Sequence, residues 1–384
     1  MEGDLQVIDW NIFSTPSFVV DRVLLEKNLK VLSSVRERTG VKILLALKGF
    51  AMFATFPLIR QYLQGTCASS PFEARLGKEE FGGEVHAFAA AYSDSDFKDL
   101  LKTSNHIVFN SMSQYEHFLP MIKEYYGKIS FGLRINPEHR ETDVEIYDPC
   151  APFSRLGITK KNFPERLPPY IDGLHMHTLC QKNSDSLERT VAAAEKNFGH
   201  YFKECKWVNF GGGHHITRDD YDIDRLCHVI ENFKKRYNTE IYLEPGEAVA
   251  LNAGFLVSKV LDITENRMPI AILDTSAATH MPDVLEMPYR PYILNSGAAG
   301  EYEYTYRLAG LSCLAGDVIG DYSFKKPLNI GDRVIFTDMA IYSMVKTNTF
   351  NGIKLPDIYY YDSESQEILH YKSFSYEDFK WRLS

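Results

Sequence analysis

Short apolar runs alternate with longer amphipathic segments through the first two thirds of the chain, and this alternation limits the possible folds. Eight runs rich in β-branched or aromatic residues have the length of strands: 41–47, 65–69, 84–90, 106–110, 129–135, 171–179, 207–211 and 241–243. Most are separated by segments with apolar residues at helical spacing, including 71–81, 113–126, 184–202 and 219–237. Strand then helix, repeated eight times over roughly 200 to 250 residues, is typical of a (β/α)8 barrel, with a doubly wound open sheet as the alternative.

The last third of the chain follows a different pattern. After about Gly254, strand-like runs follow one another without long helices, and Gly-Asp and Pro turns separate them: 271–273, 304–309, 333–337, 341–345 and 357–361. Residues 17–20 are also strand-like and precede a helical segment at 24–38, so they can join the same sheet. We therefore predict an α/β chain with a barrel domain, 22–255, and a second, mainly β domain of sandwich or barrel type, 1–21 plus 256–384.

Net charge and cysteine usage narrow the functional classes. The 384 residues carry a formal net charge of -9, which argues against nucleic acid as a partner and suits a cationic substrate. The amino terminus is acidic and no apolar stretch follows it, while Lys48, Gly49 and Pro57 interrupt the apolar run 41–59, so neither export nor a membrane span is expected. The six cysteines are scattered without zinc-type pairing, which predicts a cytoplasmic protein with no bound metal.

Lys48 directly follows the first apolar run. In a (β/α)8 barrel the reacting groups lie at the carboxyl ends of the strands and in the loops that follow. An amine half-buried there can lose its proton through desolvation and form an imine with a carbonyl compound. The alternative is a surface lysine, and at this position the two interpretations are equally supported.

His175 and His177 lie on one face of the sixth run, because strand side chains alternate. Such a pair can ligate a divalent metal if His214 and His215 add further ligands. In the second interpretation one ring stacks on a flat cofactor and the other is a buried, hydrogen-bonded histidine.

Glycines and a carboxylate follow the last two runs. Gly211, Gly212 and Gly213 have bare backbone amides that can approach an anion such as a phosphate. Glu244 ends the eighth run before Pro245 and Gly246, and its carboxylate can hold a proton on a pyridine nitrogen. Each signal is weak alone, but together they describe an amine, a flat-ring partner, a phosphate cradle and a carboxylate in one site.

These elements resemble, in this order, the fold-type III pyridoxal-phosphate decarboxylases, a superfamily that includes ornithine and diaminopimelate decarboxylases. The resemblance covers nearly the whole chain and is strongest to the carboxynorspermidine/carboxyspermidine decarboxylase branch. Its strings are 45–50 (LALKGF), 109–111 (FNS), 154–157 (SRLG), 175–180 (HMHTLC), 210–215 (FGGGHH), 244–248 (EPGEA) and 313–317 (CLAGD).

The resemblance implies a pyridoxal 5'-phosphate cofactor bound as an imine on Lys48, with His177 stacked on its ring and Glu244 at its ring nitrogen. It implies that Tyr342 shares the phosphate with the three glycines. It further implies a homodimer in which Cys313 protonates the carbanion across the subunit interface. A buried core thiol is the alternative for this cysteine.

Two further features of the resemblance concern charge. Arg134 matches an arginine near the cofactor, with a structural salt bridge as the alternative. Glu247 stands where relatives acting on ornithine or diaminopimelate carry arginine, so a cation is replaced by an anion that can dock an ammonium group. Further acidic contacts to the substrate are predicted from Asp283, Glu286 and Asp317.

The resemblance and these acids imply decarboxylation of carboxynorspermidine and/or carboxyspermidine to norspermidine or spermidine, in polyamine biosynthesis. Diaminopimelate decarboxylation stays open as an alternative, because Arg290 and Arg307 could hold the distal carboxylate of that substrate. An amino-acid racemase would need a second base, usually a tyrosine, at the position of Cys313. The alternatives of another class are a metal-dependent barrel hydrolase built on His175 and His177, and a non-catalytic regulatory relative. The sequence does not rank the two polyamine substrates, which differ by one methylene.

Overall fold

A computed structural model describes residues 8–142, 144–287 and 289–384. Residues 27–249 form one compact unit, and the chain up to Glu26 together with the chain from Ala250 forms the other. The sequence-based boundaries, at residues 22 and 255, lie a few residues outside the first unit. Residues 1–7 of the predicted β domain lie outside the described residues.

The unit of residues 27–249 contains a closed parallel barrel. A strand of the other unit, β1 (Ser17–Asp21), precedes it, and each barrel strand pairs with the next until β9 returns to β2. The barrel strands are β2 (Lys42–Ala46), β3 (Gly65–Ala68), β4 (Glu84–Phe88), β5 (His106–Phe109), β6 (Ser130–Arg134), β7 (Ile171–His175), β8 (Trp207–Asn209) and β9 (Glu240–Leu243). Seven of the eight predicted runs contain their strand, and the eighth, 241–243, lies within β9, so the (β/α)8 barrel is confirmed and the open sheet is wrong.

Helices follow most barrel strands, and polar side chains mark where they begin. Ser93, Ser111 and Asp222 each accept a hydrogen bond from a backbone N–H of the first helical turn. The helices from Arg22 to Ala250 are Arg22–Thr39, Phe56–Ile59, Pro71–Leu76, Asp94–Thr103, Met112–Tyr125, Ser184–Phe202, Ile223–Tyr237 and Glu247–Ala250, with a π-helical turn at Gly77–Phe81 and a 3-10 turn at Phe53–Thr55. None of the helices in the described parts of the chain is long and apolar enough to cross a bilayer.

The connection between β6 and β7 departs from the predicted alternation of strand and helix. In the described residues of this connection, 135–142 and 144–170, the helical elements are the 3-10 turns Glu145–Tyr147 and Lys160–Asn162. The segment returns to the barrel at Ile158, whose N–H donates to the carbonyl of Arg134 at 2.8 Å. The predicted unit of a strand followed by a long helix is therefore not repeated eight times. The β6–β7 connection instead contributes to the carboxyl end of the barrel.

A tryptophan fills the inside of the barrel. Trp207 packs with Leu44, Val108 and Tyr242 in one buried cluster. A Cβ at Gly173 would lie 2.2 Å from its indole ring, so this strand position must be glycine. The barrel interior is therefore a packed core, and the site is confined to its end.

The second unit is built on one nine-stranded sheet, which confirms the mainly β domain. Strand β1 runs antiparallel to β10 and parallel to β16, as expected for residues 17–20. The other strands are β10 (Gly254–Glu265), β11 (Pro269–Leu273), β12 (Ser296–Ala298), β13 (Tyr304–Ala309), β14 (Val318–Phe324), β15 (Arg333–Thr337), β16 (Asp357–Asp362) and β17 (Glu367–Lys372). Their order is β12-β14-β13-β11-β10-β1-β16-β17, with β15 also paired to β10.

Strand β1 is buried on both faces. Phe18 packs into a core with Leu256 and Phe336, while Val19 packs into a second core with Phe13. Alternation of neighbouring side chains explains how one strand serves two cores.

Short helices and turns complete the unit: Trp10–Ile12, Ala277–His280, Asp283–Glu286, Ser343–Lys346, Phe350–Gly352 and Tyr376–Lys380. The predicted strand 341–345 is wrong, because the chain turns at Tyr342, where φ is 55°, and enters the helix Ser343–Lys346.

Candidate active site

Lys48 stands two residues beyond β2, at the carboxyl end of the barrel. Its Nζ lies 3.4 Å from Nε2 of His177. The turn is held by the backbone bond from Gly49 to Ala46, and a Cβ on Gly49 would lie 3.1 Å from Cα of Gly246. The Lys48 side chain is exposed in the single chain, so the prediction of a half-buried amine is wrong for the single chain.

His177 is fixed by a backbone amide. The N–H of Gly212 donates to its Nδ1 at 2.9 Å, which leaves the ring hydrogen on Nε2, the atom that faces Lys48. Burial, together with the cationic Lys48 and Arg134, holds the pKa of His177 well below its usual value. The ring is therefore neutral and can lie against another flat ring without adding a charge.

Glu244 follows β9 and is held as a carboxylate. Its oxygens contact Nε2 of His175 at 3.2 Å and accept a hydrogen bond from Nδ2 of Asn209 at 2.7 Å. Burial alone would favour the neutral acid, but the contact with His175 and the bond from Asn209 hold the pKa of Glu244 at about 2. Burial in turn lowers the pKa of His175, so His175 is the buried, hydrogen-bonded histidine of the second interpretation.

The three glycines are required by close backbone packing. A Cβ would lie 2.4 Å from the carbonyl oxygen of Met176 at Gly211, 2.1 Å from that of Glu244 at Gly212, and 1.8 Å from that of Leu179 at Gly213. Gly211 and Gly213 also have φ values of 71° and 82°.

The amides of this glycine loop are partly committed inside the protein. The Gly211 N–H donates to Oδ1 of Asn209, and the Gly212 N–H donates to His177. In this structure two of the three amides predicted to hold a phosphate therefore orient side chains, and the phosphate contact stays a prediction for Gly213.

Arg134 ends β6 and adds a buried cation. Its Nη2 donates to the carbonyl of His177 at 2.6 Å, and its guanidinium carbon lies 4.5 Å from the ring centre of Phe88. Burial lowers the pKa of Arg134 to about 10, so the group stays cationic at neutral pH. Arg134 contacts a backbone carbonyl and an aromatic face, so these contacts do not support the alternative of a structural salt bridge.

These side chains line a single cavity of about 670 Å³. Lys48, Arg134, His175, His177 and Glu244 form its inner wall, and residues 145–149 and 151–156 of the β6–β7 connection form much of the rest. Asn110 anchors that connection, because it donates to the carbonyl of Arg155 and accepts from the N–H of Gly157, both at 2.7 Å.

The inner wall fits pyridoxal phosphate. Lys48 offers an amine, His177 a neutral flat ring beside it, and Glu244 an ionised carboxylate for a protonated ring nitrogen. Arg134 adds a positive charge behind the ring partner.

Comparison with known proteins supports this reading. The family model described as pyridoxal-dependent decarboxylase, C-terminal sheet domain, matches residues 18–340. The chain belongs to the pyridoxal-dependent decarboxylases. As in that family, the cofactor of this carboxy-lyase is pyridoxal phosphate.

Two relatives and one solved structure are similar to this decarboxylase along nearly all of its length. A carboxynorspermidine/carboxyspermidine decarboxylase of Campylobacter jejuni is 41% identical, over 96% of this chain and 98% of the relative. A carboxyaminopropylagmatine decarboxylase of Synechocystis is 42% identical, over 96% and 95%. The crystal structure of carboxynorspermidine decarboxylase from Campylobacter jejuni, complexed with norspermidine, has a TM-score of 0.89 and 40% identity, and covers 96% of this chain and 100% of that chain.

The metal-hydrolase alternative has no support at the decarboxylase site. His214 shares a hydrogen bond of 2.7 Å with the hydroxyl of Tyr221, and His215 is paired with Glu247. Neither histidine joins His175 and His177 as a further ligand, and the group of three neighbouring His, Cys, Asp or Glu residues found in the described structure lies elsewhere.

Glu247 begins the short helix after β9 and is half-buried. Its carboxylate is paired with Nε2 of His215 and accepts a hydrogen bond from Nε2 of Gln181 at 3.2 Å. The Glu247 carboxylate is therefore held in place by His215 and Gln181, which lie in the segments after β8 and β7.

The remaining predicted residues lie in the β unit of the decarboxylase. Cys313 is exposed on a loop, where its N–H donates to Oδ1 of Asn351 at 2.7 Å, so the buried-thiol alternative is wrong. Tyr342 is half-buried at the start of a short helix.

The three predicted acidic contacts of this unit differ from one another. Asp283 and Glu286 both form ion pairs with Lys346. Asp317 is 3% exposed and accepts hydrogen bonds from Oγ of Ser276 and from the backbone of Ala277 and Ser312. These bonds give Asp317 a structural role in the Cys313 loop and argue against direct contact with a substrate amine.

Sequence reasoning gave no role to Asn209, Phe88 or Asn110. Asn209 stands two residues before Gly211, and Asn110 lies in one of the strings of the resemblance, so a signal was present for both. Phe88, at the end of β4, had none beyond its position.

Proposed function

We propose that this decarboxylase acts on carboxynorspermidine and/or carboxyspermidine and releases norspermidine or spermidine. The observation that carries the proposal is the 41% identity, over 96% of the chain, to a relative of that name. Glu247 supports it, because an anion there suits a polycationic substrate.

A carboxylated aminopropylagmatine is the second candidate substrate. The Synechocystis relative named for it is 42% identical over 96% of this chain, so overall similarity does not separate the two. Agmatine ends in a guanidinium group, which pairs with a carboxylate through two parallel hydrogen bonds, whereas an ammonium acts as a point charge.

Release of carbon dioxide from four compounds tests the assignment. We expect kcat/KM for carboxynorspermidine or carboxyspermidine to exceed that for carboxyaminopropylagmatine, and diaminopimelate to be a far poorer substrate, since its distal carboxylate would meet Glu247. A higher kcat/KM for the agmatine derivative would transfer the assignment to the second candidate. Preference for diaminopimelate would reject both.

The cofactor, when bound, supplies an electron sink for the carbon that loses carbon dioxide. Glu244 is already ionised and oriented by Asn209 and His175, so it can hold a proton at the ring nitrogen. His177 bears its hydrogen on Nε2 and stays neutral against the ring.

We further propose a homodimer in which Cys313 of one chain serves the barrel of the other. Its thiol is exposed in the single chain, and the bond to Asn351 holds its loop. The segments that follow β2, β3 and β6 carry large apolar side chains that are exposed: Phe53 (51%), Phe72 (87%), Ile146 (74%) and Phe153 (104%). Exposed apolar surface of this kind favours a partner chain over the barrel mouth.

Replacing Cys313 with alanine should leave the cofactor absorbance intact and lower kcat by about 10²- to 10⁴-fold, because a proton donor is lost. Stopped-flow absorbance and product analysis are the measurements, and Cys227→Ala, at a buried cysteine of the barrel unit, is the matched control. Unchanged turnover in Cys313→Ala would remove this thiol from the proposal.

The shared site has its own test. Mixing inactive Cys313→Ala with inactive Lys48→Ala under conditions that exchange subunits should restore about a quarter of wild-type activity. Half of the dimers are then mixed, and each mixed dimer has one intact site of two. No recovery despite demonstrated exchange would contradict a site built from two chains.

Exchanging Glu247 for arginine should lower kcat/KM for carboxynorspermidine at least about tenfold and affect cofactor affinity less. The new cation would repel the substrate's ammonium groups and stand beside His215. Glu247→Gln removes the charge but keeps hydrogen-bonding capacity, and should show an intermediate loss. Equal kcat/KM in Glu247→Arg would reject docking at this residue.

A cytoplasmic location is also proposed. All six cysteines are free, which suits a reducing compartment.

A further inference from the structure

The loop that carries Cys313 joins β13 to β14 and is anchored at its base and near its tip. At the base, the carboxylate of Asp317 accepts hydrogen bonds from the backbone N–H of Ser312 at 3.1 Å and from Oγ of Ser276 at 2.8 Å. Near the tip, the N–H of Cys313 donates to Oδ1 of Asn351 at 2.7 Å. Asp317 is buried, whereas Cys313 and Asn351 are both exposed. The bond to Asn351 therefore fixes the exposed part of the loop, at the residue that bears the thiol.

Asn351 reaches Cys313 from a left-handed turn. Its φ and ψ are 58° and 12°, and Gly352 follows with a φ of 72°. Asparagine is one of the few residues besides glycine that adopt this conformation readily. A Cβ built on Gly352 would lie 3.5 Å from the ring of Phe379, so the C-terminal helix Tyr376–Lys380 lies against this turn. An asparagine here supplies both the backbone conformation of the turn and the acceptor for the loop.

The turn that carries Asn351 is tied to the base of the loop through the helix Ala277–His280. Nδ2 of Asn348 donates to the carbonyl of Ala278 in this helix at 3.0 Å, and Oδ1 of Asn348 accepts from the first N–H of the turn at 2.9 Å. The first N–H of the helix donates to Oδ1 of Asp317 at 2.8 Å. Hydrogen bonds therefore form a closed ring, from the base of the loop through the helix and the turn to the tip of the loop.

We propose that Asn351 is a positioning residue for the proton transfer from Cys313. The inference rests on the proposed role of Cys313 as the proton donor. A proton reaches the carbon that has lost carbon dioxide only if the thiol is held within hydrogen-bond reach of that carbon. Asn351 sets this reach because it holds the backbone of the residue that bears the thiol. In this role Asn351 acts through Cys313 and not by contact with the substrate.

A displaced thiol changes the product as well as the rate. When carbon dioxide leaves, the electron pair of the broken bond is shared between the substrate carbon and the ring system of the cofactor. A proton delivered to the substrate carbon gives the amine product. A proton delivered by water to the carbon of the cofactor instead yields, after hydrolysis by water, an aldehyde and pyridoxamine phosphate. The ratio of aldehyde to carbon dioxide therefore reports where the proton goes.

Asn351→Gly tests the proposal in the full-length holoenzyme with carboxynorspermidine. Glycine adopts a φ of 58° freely, so the turn is kept while the acceptor for the Cys313 N–H is lost. We expect kcat to fall about 10- to 100-fold and the ratio of aldehyde to carbon dioxide to rise at least about fivefold. Asn351→Asp keeps an acceptor oxygen and should stay close to the wild-type ratio. Asn295→Gly is the matched control, because it removes an exposed asparagine with a φ of 60° from another turn, and it should keep both wild-type values.

A double variant separates this positioning role from a general loss of structure. If Asn351 acts only through the thiol, Cys313→Ala combined with Asn351→Gly should have the same kcat and the same product ratio as Cys313→Ala alone. A further loss of kcat in the double variant would overturn the inference, because Asn351 would then act by another route.

The remaining outcomes distinguish this inference from the proposed function. A wild-type kcat and product ratio in Asn351→Gly, while Cys313→Ala is impaired, would overturn the inference and leave the proposed proton donor in place. An unimpaired Cys313→Ala would overturn both. If Asn351→Gly does not fold, Asn351→Ala also lacks the acceptor and should show the same rise in aldehyde. A wild-type product ratio in Asn351→Ala would then overturn the inference.

Discussion

Replacing Lys48 with alanine is expected to abolish the absorbance band at roughly 420 nm and to lower kcat by at least about 10³-fold. Lys48 is the lysine that lines the cavity in the described structure, with its Nζ 3.4 Å from the neutral ring of His177. No other amine there can take over the covalent bond to the cofactor. Reduction of the wild type with borohydride, followed by peptide mass spectrometry, should locate the cofactor on this residue.

The matched control is Lys196→Ala, which removes an exposed lysine from the helix Ser184–Phe202. It should keep both the band and the turnover. An exogenous small amine should restore part of the activity of Lys48→Ala by replacing the missing amine. A 420 nm band that persists in Lys48→Ala would show that the cofactor is attached elsewhere and would remove the basis of the assignment.

The barrel could be predicted because its strands are parallel and buried on both sides. Such strands appear in the sequence as continuous apolar runs. The run at 106–110 contains the observed β5, and the run at 241–243 covers all of β9 except its first residue. Serine and aspartate residues that cap helices add a local signal, as at Ser93 and Asp222. These are short-range effects that any single sequence displays.

Other parts of the fold depend on longer-range contacts. Residues 341–345 are too short and too apolar for periodicity to separate a strand from a helix, and the turn at Tyr342 decides for the helix. The β6–β7 connection is held by Asn110, which lies 45 residues before its partner Arg155. Pairings of this kind leave no periodic trace in the sequence.

In the candidate site, too, some features could be predicted from the sequence and others depend on contacts that only the fold creates. Position at a strand end identified Lys48, His177 and Glu244, because a barrel gathers strand ends at one place. Hydrogen-bond partners were not predictable, so two glycine amides assigned to a phosphate prove to hold Asn209 and His177. Asp317 was assigned to the substrate from its charge alone, whereas its burial gives it a structural role.

The second large effect is expected from Glu244→Gln. Glutamine has nearly the same volume and can still contact Asn209, but it carries no charge to hold a proton at the ring nitrogen of the cofactor. We expect kcat to fall on the order of 10²- to 10³-fold, with the protein folded and the cofactor bound. Steady-state kinetics and the absorbance spectrum measure these two properties separately.

The pH dependence gives Glu244 a second signature. Its folded pKa of about 2 lies below the ordinary value of 4.5, so the carboxylate stabilises the fold above pH 4.5 and this contribution is lost as the pH falls toward 2. Glu244→Gln should therefore flatten part of the acid unfolding transition. Glu240→Gln, at the other end of β9 and paired with Lys42, is the control and should keep normal turnover. If Glu244→Gln retains wild-type kcat, the carboxylate does not hold a proton at the ring nitrogen of the cofactor. Asn209 and His175 would then have no catalytic role in orienting this carboxylate.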